Sequence, residues 1–314
     1  MSGERDTILI AGSANLDFVV RAPHIPAPGE TVLGGEFATY PGGKGANQAV
    51  AAARSGARTT MLVALGDDAY AAPIEASLRG AGVELIVLRA DAPTGTAFIV
   101  VAESGENAIT VAPGAKATLA REHLPSLDRV SHLLLQLETP LDVVTAYAQA
   151  AHAAGVRVIL NAAPARSVPK ELLDAVDVLI VNEGELAAIA GDGDLRERLD
   201  AIAVDTIVVT LGERGCCARA GDRYFAQPAF PVEPIDTTGA GDTFCGAFVA
   251  ALGERMPFAT ALRFAAAASA IACTRAGAQT SVPARAEVDA LLRSHVADAD
   301  AAAALARTCG VPLR

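Results

Sequence analysis

One stretch of the chain has the sequence Asp236-Thr237-Thr238-Gly239-Ala240-Gly241-Asp242-Thr243-Phe244 and leads into an Ala-rich apolar segment. Glycines two residues apart allow the backbone to approach a ligand closely. The helix predicted to begin here directs its free N–H groups and its positive dipole end into the turn, which predicts an anion hole at Gly239, Ala240 and Gly241. A carboxylate at Asp242 would repel a resting phosphate, so we expect it to act on a hydroxyl that attacks one. The stretch therefore predicts a phosphoryl-transfer centre with Asp242 as general base.

The composition is that of a soluble α/β protein. The 314 residues are 52% hydrophobic and only 4% aromatic, which is enough apolar material for a large core. The formal net charge of −11 argues against a surface for nucleic acid or anionic membranes. It does not argue against ATP, because backbone N–H groups and Mg²⁺ hold phosphates locally even in an acidic protein.

The sequence also indicates a cytoplasmic location. Glu4, Arg5 and Asp6 precede the first strand-like run, so we expect no signal peptide. The longest apolar stretch, Phe264 to Cys273, is too short to span a bilayer. The five cysteines are odd in number and lack metal-binding spacing, which favours reduced structural thiols.

Strands and helices alternate along most of the chain, which predicts a doubly wound, mostly parallel sheet flanked by helices in one domain of residues 1–314. Strands are predicted near 7–12, 58–65, 83–88, 132–137, 156–161, 177–181 and 205–211, with a hairpin over 215–226 and a strand region over Thr31 to Tyr40. Helices are predicted near 44–55, 70–80, 140–154, 183–190, 240–252, 257–274 and 284–294, with a peripheral helix or loose tail over 297–306. Residues 16–40 and 95–112 break this rhythm with antiparallel strand pieces, and we expect them to form a small β lid over the site.

A second motif, Pro41-Gly42-Gly43-Lys44-Gly45-Ala46-Asn47-Gln48, predicts a strand-to-helix turn that contacts a small polar ligand. Its glycines expose the backbone, and Lys44 and Asn47 share one face of the first helical turn. The motif lacks the glycine spacing and the Ser/Thr of a P-loop, and a GxGxxG dinucleotide motif is absent. The alternative is a tight turn followed by ordinary polar residues of a helix.

Three further residues are suited to sugar hydroxyls. Asn15 and Asp17 project from the same face of a strand, and an amide with a carboxylate matches vicinal hydroxyls that both donate and accept. Glu138 follows the strand Leu133 to Leu137, at the edge where open α/β sheets bind ligands. Glu138 could equally be an acid at a helix N-terminus before Pro140.

Two segments are candidates for nucleotide and metal contacts. Asn182 and Glu185 follow the strand Asp177 to Val181 and share a helix face, so they could reach a phosphate and a Mg²⁺-bound water, or could simply be favoured by the helix dipole. The segment Thr210 to Gly215 carries two glycines suited to nucleotide contact, or forms a plain hairpin turn. No histidine lies in any of these motifs, which argues against Ser-His-Asp and metal-histidine mechanisms.

Taken together, the motifs resemble the ribokinase (PfkB) family of carbohydrate kinases. The resemblance extends from Gly12-Ser13-Ala14-Asn15-Leu16-Asp17 to Gly277-Ala278-Gln279-Thr280-Ser281-Val282-Pro283 and so covers nearly the whole chain. Both family signatures are present, at residues 42–48 and 236–244. The chain departs from the family pattern at Ala71, where Gly is frequent, at Lys116, where Asn is common, and at Ala266, where some members have His.

The resemblance implies a role for each motif. The residues implied to hold the sugar are Asn15, Asp17, Gly42, Gly43, Lys44, Asn47, Glu138 and the base Asp242. Those implied to contact ATP are Asn182, Thr210, Leu211, Gly212, Glu213, Arg214, Gly215 and Gly241, with Glu185 linked indirectly to Mg²⁺. The positions that match the family's monovalent-cation site, usually for K⁺, are Asp236, Thr238, Ala272, Arg275, Gly277 and Ser281.

The implied reaction is transfer of the γ-phosphoryl group of ATP to O5 of D-ribose. Deoxyribose, a ketohexose or a nucleoside remains open as the acceptor, and so does a non-catalytic sugar-binding regulator on the same scaffold. Against a regulator, the base and the glycine turn are intact and no DNA-binding segment is appended. Exposed strand edges of a lid often pair with another copy, and members of the family commonly form homodimers through their lids, so we expect a homodimer.

Overall fold

The computed structural model describes residues 6–313, which form two β-sheets and ten α-helices. Glu4 and Arg5, on which the expectation of no signal peptide depends, lie outside the described residues. The strands are β1 (Thr7–Ala11), β2 (Asn15–Ala22), β3 (Phe37–Gly42), β4 (Thr59–Gly66), β5 (Glu84–Ala90), β6 (Thr96–Ala102), β7 (Asn107–Ala112), β8 (Val130–Leu135), β9 (Arg157–Asn161), β10 (Val178–Asn182), β11 (Thr206–Thr210), β12 (Gly215–Ala220) and β13 (Arg223–Pro228). The helices are α1 (Lys44–Arg54), α2 (Ala71–Gly80), α3 (Leu141–Ala153), α4 (Lys170–Leu173), α5 (Glu183–Ala190), α6 (Leu195–Ala201), α7 (Ala240–Gly253), α8 (Phe258–Cys273), α9 (Arg285–Ser294) and α10 (Ala299–Thr308).

The large sheet has nine strands in the order β13-β12-β11-β10-β9-β8-β1-β4-β5. All neighbours pair in parallel except at one edge, where β12 pairs antiparallel with both β11 and β13. Strands β1 and β4 are buried along their whole length, as apolar strands covered on both faces must be. The predicted doubly wound, mostly parallel fold is confirmed.

Two apolar cores lie on the two faces of this sheet. Alternation along β1 sends Ile8 and Ile10 to one core, which α1, α2, α7, α8 and α9 cover. The same alternation sends Leu9 and Ala11 to the other core, which is covered by α3, α4, α5, α6 and α10. The cores hold the large sheet rigid, so the carboxyl ends of its parallel strands form a fixed platform for a site. Within residues 6–313, no helix is long and apolar enough to cross a membrane.

The second sheet has four strands in the order β3-β2-β6-β7. The β2–β3 and β6–β7 pairs are antiparallel, as the two lid segments predict, but β2 and β6 join them as a parallel pair. We call this sheet the lid.

The expected strand over Thr31 to Tyr40 is wrong in its position, because the strand begins only at Phe37. Residues 23–36 have no regular structure apart from turns and bends. Gly34 packs so closely against β2 that an added Cβ would lie 2.9 Å from the Val20 side chain. The peripheral segment at the carboxyl end is the helix α10, and the short helices α4 and α6 were not predicted.

Candidate active site

The site lies where the N-termini of α1 and α7 meet at the carboxyl ends of the parallel strands. Asp242, in the first turn of α7, is only 8% exposed. Its Oδ2 accepts a hydrogen bond from Asn47 Nδ2 at 2.9 Å, and its Oδ1 accepts one from Gln48 Nε2 at 2.9 Å. Burial raises the pKa of Asp242, while the charge of Lys44 and the two amide hydrogen bonds oppose that rise. The result is a buried carboxylate that can accept a proton.

The glycine turn before Asp242 has the geometry that the sequence predicts. Gly239 has a φ of 74° in the left-handed region, and an added Cβ would lie 2.9 Å from Ala278 Cα. Around Gly241, by contrast, an added Cβ would meet no described atom within 4 Å apart from its chain neighbours and the backbone of its own helix, so this side of the turn is open. No described side chain caps α7; the N–H of Ala240 donates to the Thr237 carbonyl at 3.2 Å, and the N–H of Gly241 is available to an anion.

Asp17 of the lid faces the same site without a partner of its own. An added Cβ at Gly42 would lie 2.0 Å from Asp17 Oδ2, so the lid strands meet this closely only because residue 42 is glycine. Asp17 Oδ1 is buried and has no hydrogen-bond partner among the described residues. Burial, with the nearby charge of Glu138, raises the pKa of Asp17 to about 7. A hydroxyl-bearing ligand would satisfy this carboxylate.

Glu138 joins the end of the large sheet to α1 rather than to its own following helix. Its Oε2 accepts from the backbone N–H of Lys44 at 3.1 Å and from Ser13 Oγ at 2.5 Å. Ser13 Oγ in turn accepts from the backbone N–H of Gly45 at 3.2 Å. The alternative of an acid that serves only the helix after Pro140 is therefore not what the structure shows.

Lys116 enters the site although the sequence marks it only as a departure from the family pattern. Its Nζ, on a side chain that is almost fully buried, donates to Asn15 Oδ1 at 2.9 Å. Burial lowers the pKa of Lys116, and the charges of Glu138 and Asp17 oppose that change. Because the ammonium can only donate, it fixes the Asn15 amide with its oxygen toward Lys116. The Nδ2 donors of Asn15 are thereby left for other partners.

A cavity of about 580 Å³ opens beside the glycine turn, with mostly apolar walls. It is lined by Thr210, Gly212, Glu213, Gly215, Ala229, Phe230, Pro231, Val232, Pro234, Thr237, Ala240, Gly241, Phe244, Ala266, Ser269, Ala270 and Cys273. A smaller polar cleft of about 130 Å³ shares Thr210 and Gly241 with it and contains Lys44, Asn182, Glu185 and Asp242. The shared residues make the two spaces one continuous site with the glycine turn at its centre.

The structure brings most of the predicted nucleotide residues to this site. Leu211 is buried away from the lining, and the Arg214 side chain forms an ion pair with Glu183 at 2.5 Å. Further lining residues that no sequence motif predicted are the segment from Phe230 to Pro234 and the α8 residues Ser269 and Ala270. Their small or apolar side chains lack a motif that could have marked them.

Asn182 and Glu185 form a capping box at the start of α5. The backbone N–H of Glu185 donates to Asn182 Oδ1 at 2.8 Å, and the backbone N–H of Asn182 donates to Glu185 Oε2 at 2.8 Å. Asn182 and Glu185 thus have the role at a helix N-terminus that is the alternative interpretation of their sequence. Both residues also line the polar cleft. Burial raises the pKa of Glu185 above its ordinary value.

The segments predicted to hold a monovalent cation lie against the glycine turn. Asp236 accepts from the backbone N–H of Thr238 at 2.9 Å and of Gly277 at 2.8 Å. Those bonds tie the segment before α7 to the turn that packs on Gly239. The Arg275 side chain pairs with Glu287 on α9, so only its backbone is free to face a cation. A carboxylate with backbone carbonyls is a suitable oxygen set for a hard cation.

The described residues provide fewer ligands for a divalent cation than for a monovalent one. Within residues 6–313, no group of three or more His, Cys, Asp or Glu side chains is placed to hold a metal ion. Mg²⁺ commonly binds through one or two carboxylates together with substrate phosphates and waters. Glu185 and Asp242, which line the same polar cleft, fit that pattern and not a closed protein cage.

Comparison with known proteins gives the same family over nearly the whole chain. Residues 5–285 match the family described as pfkB family carbohydrate kinase. The ribokinase of Bacillus subtilis is 41% identical over 291 residues, which are 91% of this chain and 99% of that protein. The crystal structure of the Thermotoga maritima ribokinase superposes with a TM-score of 0.86 at 36% identity, covering 92% of this chain and 99% of that one. The structure of the Arabidopsis thaliana ribokinase complexed with ribose and ATP gives 0.84 at 33% identity, with the same coverage. The chain therefore belongs to the pfkB family of carbohydrate kinases.

Proposed function

We propose that this protein transfers the γ-phosphoryl group of ATP to O5 of D-ribose, giving D-ribose 5-phosphate and ADP. The observation that carries the proposal is the position of Asp242. Its buried carboxylate stands at the open glycine turn, between a large apolar cavity and a polar cleft. Relatives that carry the name ribokinase, one of them solved with ribose and ATP, support ribose as the acceptor.

The sugar would bind between the lid and the N-terminus of α1. Asp17, with its unsatisfied oxygen, and the Asn15 amide suit the vicinal hydroxyls, since one accepts and the other donates. The proposed sugar contacts are completed by Lys44, Asn47, Glu138 and the backbone of Gly42 and Gly43. Asp242 would then take the proton from the O5 hydroxyl as that oxygen bonds to the γ-phosphorus and the bond to the ADP oxygen breaks.

The nucleotide would occupy the cavity of about 580 Å³, with its phosphates toward the glycine turn. The N–H groups at Gly239, Ala240 and Gly241 would stabilise the charge that develops on the transferred group. Mg²⁺ bound with ATP neutralises phosphate charge, and we propose that Glu185 orients its water shell. The use of ATP as donor is also the basis on which we propose a cytoplasmic location.

A monovalent cation, K⁺ in our proposal, would bind beside the turn. Asp236 would hold it together with backbone oxygens of Thr238, Ala272, Arg275, Gly277 and Ser281. Because the Asp236 bonds to Thr238 and Gly277 support the glycine turn, an ion there would stiffen the anion hole. We expect K⁺ to raise kcat over the same concentration of tetramethylammonium, and equal rates in both salts would exclude the site.

A nucleoside is a poorer acceptor for this lid. A base needs an aromatic platform, but Phe18, Phe37 and Phe98 stack together on the strand face opposite to Asp17. Tyr40, which pairs with Asp17 across β2 and β3, lies on the site face.

A comparison of kcat/KM for D-ribose, deoxyribose, fructose and adenosine tests the choice of ribose as the acceptor. We expect ribose to be the best, and ribose as the poorest of the four would overturn the proposal.

A non-catalytic sugar-binding regulator is excluded most directly by turnover. The expected result is ADP release that depends on D-ribose, Mg²⁺ and ATP. Absence of ADP release across a broad panel of sugars, with ribose still bound, would support the regulator instead.

We also propose that two copies associate through their lids. Register places Tyr40, Ile109 and Val111 on the same lid face as Asp17, and all three are substantially exposed in the single chain. Apolar side chains next to an unpaired strand edge favour association with a second copy.

A further inference from the structure

A chain of buried amides leads from the large sheet to the carboxylate of Asp242. Gln136, directly after β8, donates from Nε2 to Gln48 Oε1 at 2.6 Å. Gln48 then donates from Nε2 to Asp242 Oδ1 at 2.9 Å. Both glutamines are completely buried. Gln48 belongs to the motif at 41–48, but no role for either glutamine follows from the sequence alone.

Two further amides fix the direction of this chain. Asn161, at the end of β9, donates to the carbonyl of Ile180 at 3.1 Å, so its Oδ1 is turned to accept from Gln48 Nε2 at 3.0 Å. On the other side, Gln279 Nε2 donates to Asn47 Oδ1 at 3.1 Å, so Asn47 presents its Nδ2 to Asp242. The two amides that donate to the carboxylate, Asn47 and Gln48, are therefore fixed with their nitrogens toward it.

The physical consequence is a fixed and stabilised carboxylate. An amide that accepts at its oxygen becomes a better donor at its nitrogen, so each link strengthens the next. In a buried site an unmade hydrogen bond is costly, so Gln48, which is bonded at both its amide nitrogen and its amide oxygen, has little freedom to rotate away. Gln136 Oε1, by contrast, is buried and has no hydrogen-bond partner among the described residues. The backbone of Gln48 is also held in place by close packing against Gly246 of α7. A Cβ added at Gly246 would lie 2.4 Å from the carbonyl oxygen of Gln48.

We propose that Gln48 and Gln136 are positioning residues for phosphoryl transfer: Gln48 orients the Asp242 carboxylate toward the acceptor hydroxyl, and Gln136 orients Gln48. The inference rests on the proposed role of Asp242 as general base. Neither glutamine is among the described residues that line the two cavities, so both act through Asp242 and not by contact with sugar or nucleotide.

The first test is Gln48→Met, which keeps the volume and removes the donor. We expect kcat to fall by about 10- to 100-fold, a part of the roughly 10²–10⁴-fold that a positioned general base supplies. The KM values for ribose and ATP should stay within about twofold of the wild type. The acid limb of the kcat profile should move up by about one pH unit, because loss of a hydrogen bond to the charged form raises the pKa of Asp242.

The matched control is Val50→Ala, a cavity-forming change at another fully buried position of α1. It should lower the melting temperature without moving the acid limb or kcat by more than about twofold. If Gln48→Met changes kcat no more than this control does, or leaves the acid limb in place, the proposal is overturned.

The second test is Gln136→Met, which keeps Gln48 in place and is informative even if Gln48→Met does not fold. We expect a kcat loss of about three- to tenfold alone and almost none when it is added to Gln48→Met, since linked residues are non-additive. Equal losses of kcat in the wild-type and Gln48→Met backgrounds would overturn the link between the two glutamines.

Asp242→Asn separates this inference from the proposed function. If that variant is as active as the wild type, the assignment of Asp242 as the base fails. If Asp242→Asn is inactive but the glutamine variants are unaffected, only the positioning role is removed.

Discussion

At the scale of single residues, the sugar side of the site is governed by one unpartnered carboxylate. Asp17 is partly buried, with a buried Oδ1 that has no partner among the described residues and a pKa of about 7, and the charged groups that act on it are Glu138, Lys116 and Asp242. Lys116 lowers that pKa, whereas both acids raise it. The unusual lysine at 116 thus helps to keep Asp17 able to accept a hydrogen bond from a hydroxyl.

A pH dependence of ribose binding follows from this arrangement. Hydroxyls that donate to Asp17 favour its charged form, so protonated Asp17 must lose its proton before ribose binds well. We expect the KM for ribose to fall as the pH rises from about 6 and to level off above about 7. Steady-state kinetics at a saturating ATP concentration between pH 5.5 and 8.5 measures this.

Lys116→Met tests which charge sets that profile. Without the ammonium the pKa of Asp17 should rise, so the plateau in KM should begin at higher pH. Because Asp17 is about half ionised at pH 7 in the wild type, a rise of one unit in its pKa should increase the KM at pH 7 by roughly fivefold. Asp17→Asn is the control, since it should bind ribose weakly with no such pH dependence. An unchanged profile in Lys116→Met would contradict the account.

The sequence predicted most charged site residues but not the amides that hold them. Asp242, Asp17 and Glu138 stand out because acids beside glycine turns or strand ends are suited to ligands. Gln136 and Asn161 lie at the carboxyl ends of predicted apolar strands, close to the kind of position that identified Glu138. A neutral amide next to a strand has many ordinary roles, so only the hydrogen bonds of the folded chain reveal this one.

At the scale of elements, the site depends on how closely α1 and α7 cross. These two helices carry Asn47, Gln48 and Asp242, and they touch at Gly246. An added Cβ there would lie 2.6 Å from Ala51 Cβ and 2.8 Å from the Ala52 nitrogen. Gly246 therefore sets the distance between the proposed base and its two amide donors.

Gly246→Ala should force the helices apart. We expect a loss of about 1–3 kcal/mol in the free energy of unfolding from overpacking. A shift of the base by about 1 Å should also cost up to roughly 10²-fold in kcat. Denaturant unfolding and steady-state kinetics measure the two effects.

Gly253→Ala, at the exposed end of the same helix, is the matched control. Its added Cβ would lie 3.4 Å from the nearest atom, an ordinary contact. Stability should be unchanged or rise by up to about 1 kcal/mol, since alanine is the better helix former. Equal behaviour of the two variants would contradict a role for close crossing at Gly246.

Periodicity in the sequence predicted these elements well where the signal is local. Apolar strands and Ala-rich helices form as their patterns indicate, including α7 and α8. The parallel pairing of β2 with β6 joins segments about 80 residues apart, which no local pattern encodes. The irregular path of residues 23–36 likewise depends on packing of Gly34 against β2, a tertiary contact.

At the scale of the whole molecule, the lid leaves apolar surface uncovered on its site face. Ile109 is 55% exposed and Val111 is 42% exposed, and both belong to the edge strand β7. A second lid placed against this face would cover these side chains and close the sugar site from outside. In the proposed dimer, assembly and sugar binding would be linked.

Mass in solution tests this arrangement. By light scattering at micromolar concentration we expect twice the mass of one chain, and Ile109→Lys should shift it toward one chain while raising the KM for ribose. Val296→Lys is the control, since Val296 is 90% exposed but lies outside the lid. A single-chain mass for the wild-type protein would exclude the proposed dimer.

The most direct test of the central claim is the rate of ADP release with D-ribose for the wild-type protein and for Asp242→Asn. The variant keeps the size of the side chain and removes the base. We predict ribose-dependent turnover in the wild type and a kcat lower by about 10²–10⁴-fold in the variant, with ribose and ATP still bound. A variant whose kcat lies within a fewfold of the wild-type value would contradict the assignment of Asp242 as the base that activates the sugar hydroxyl.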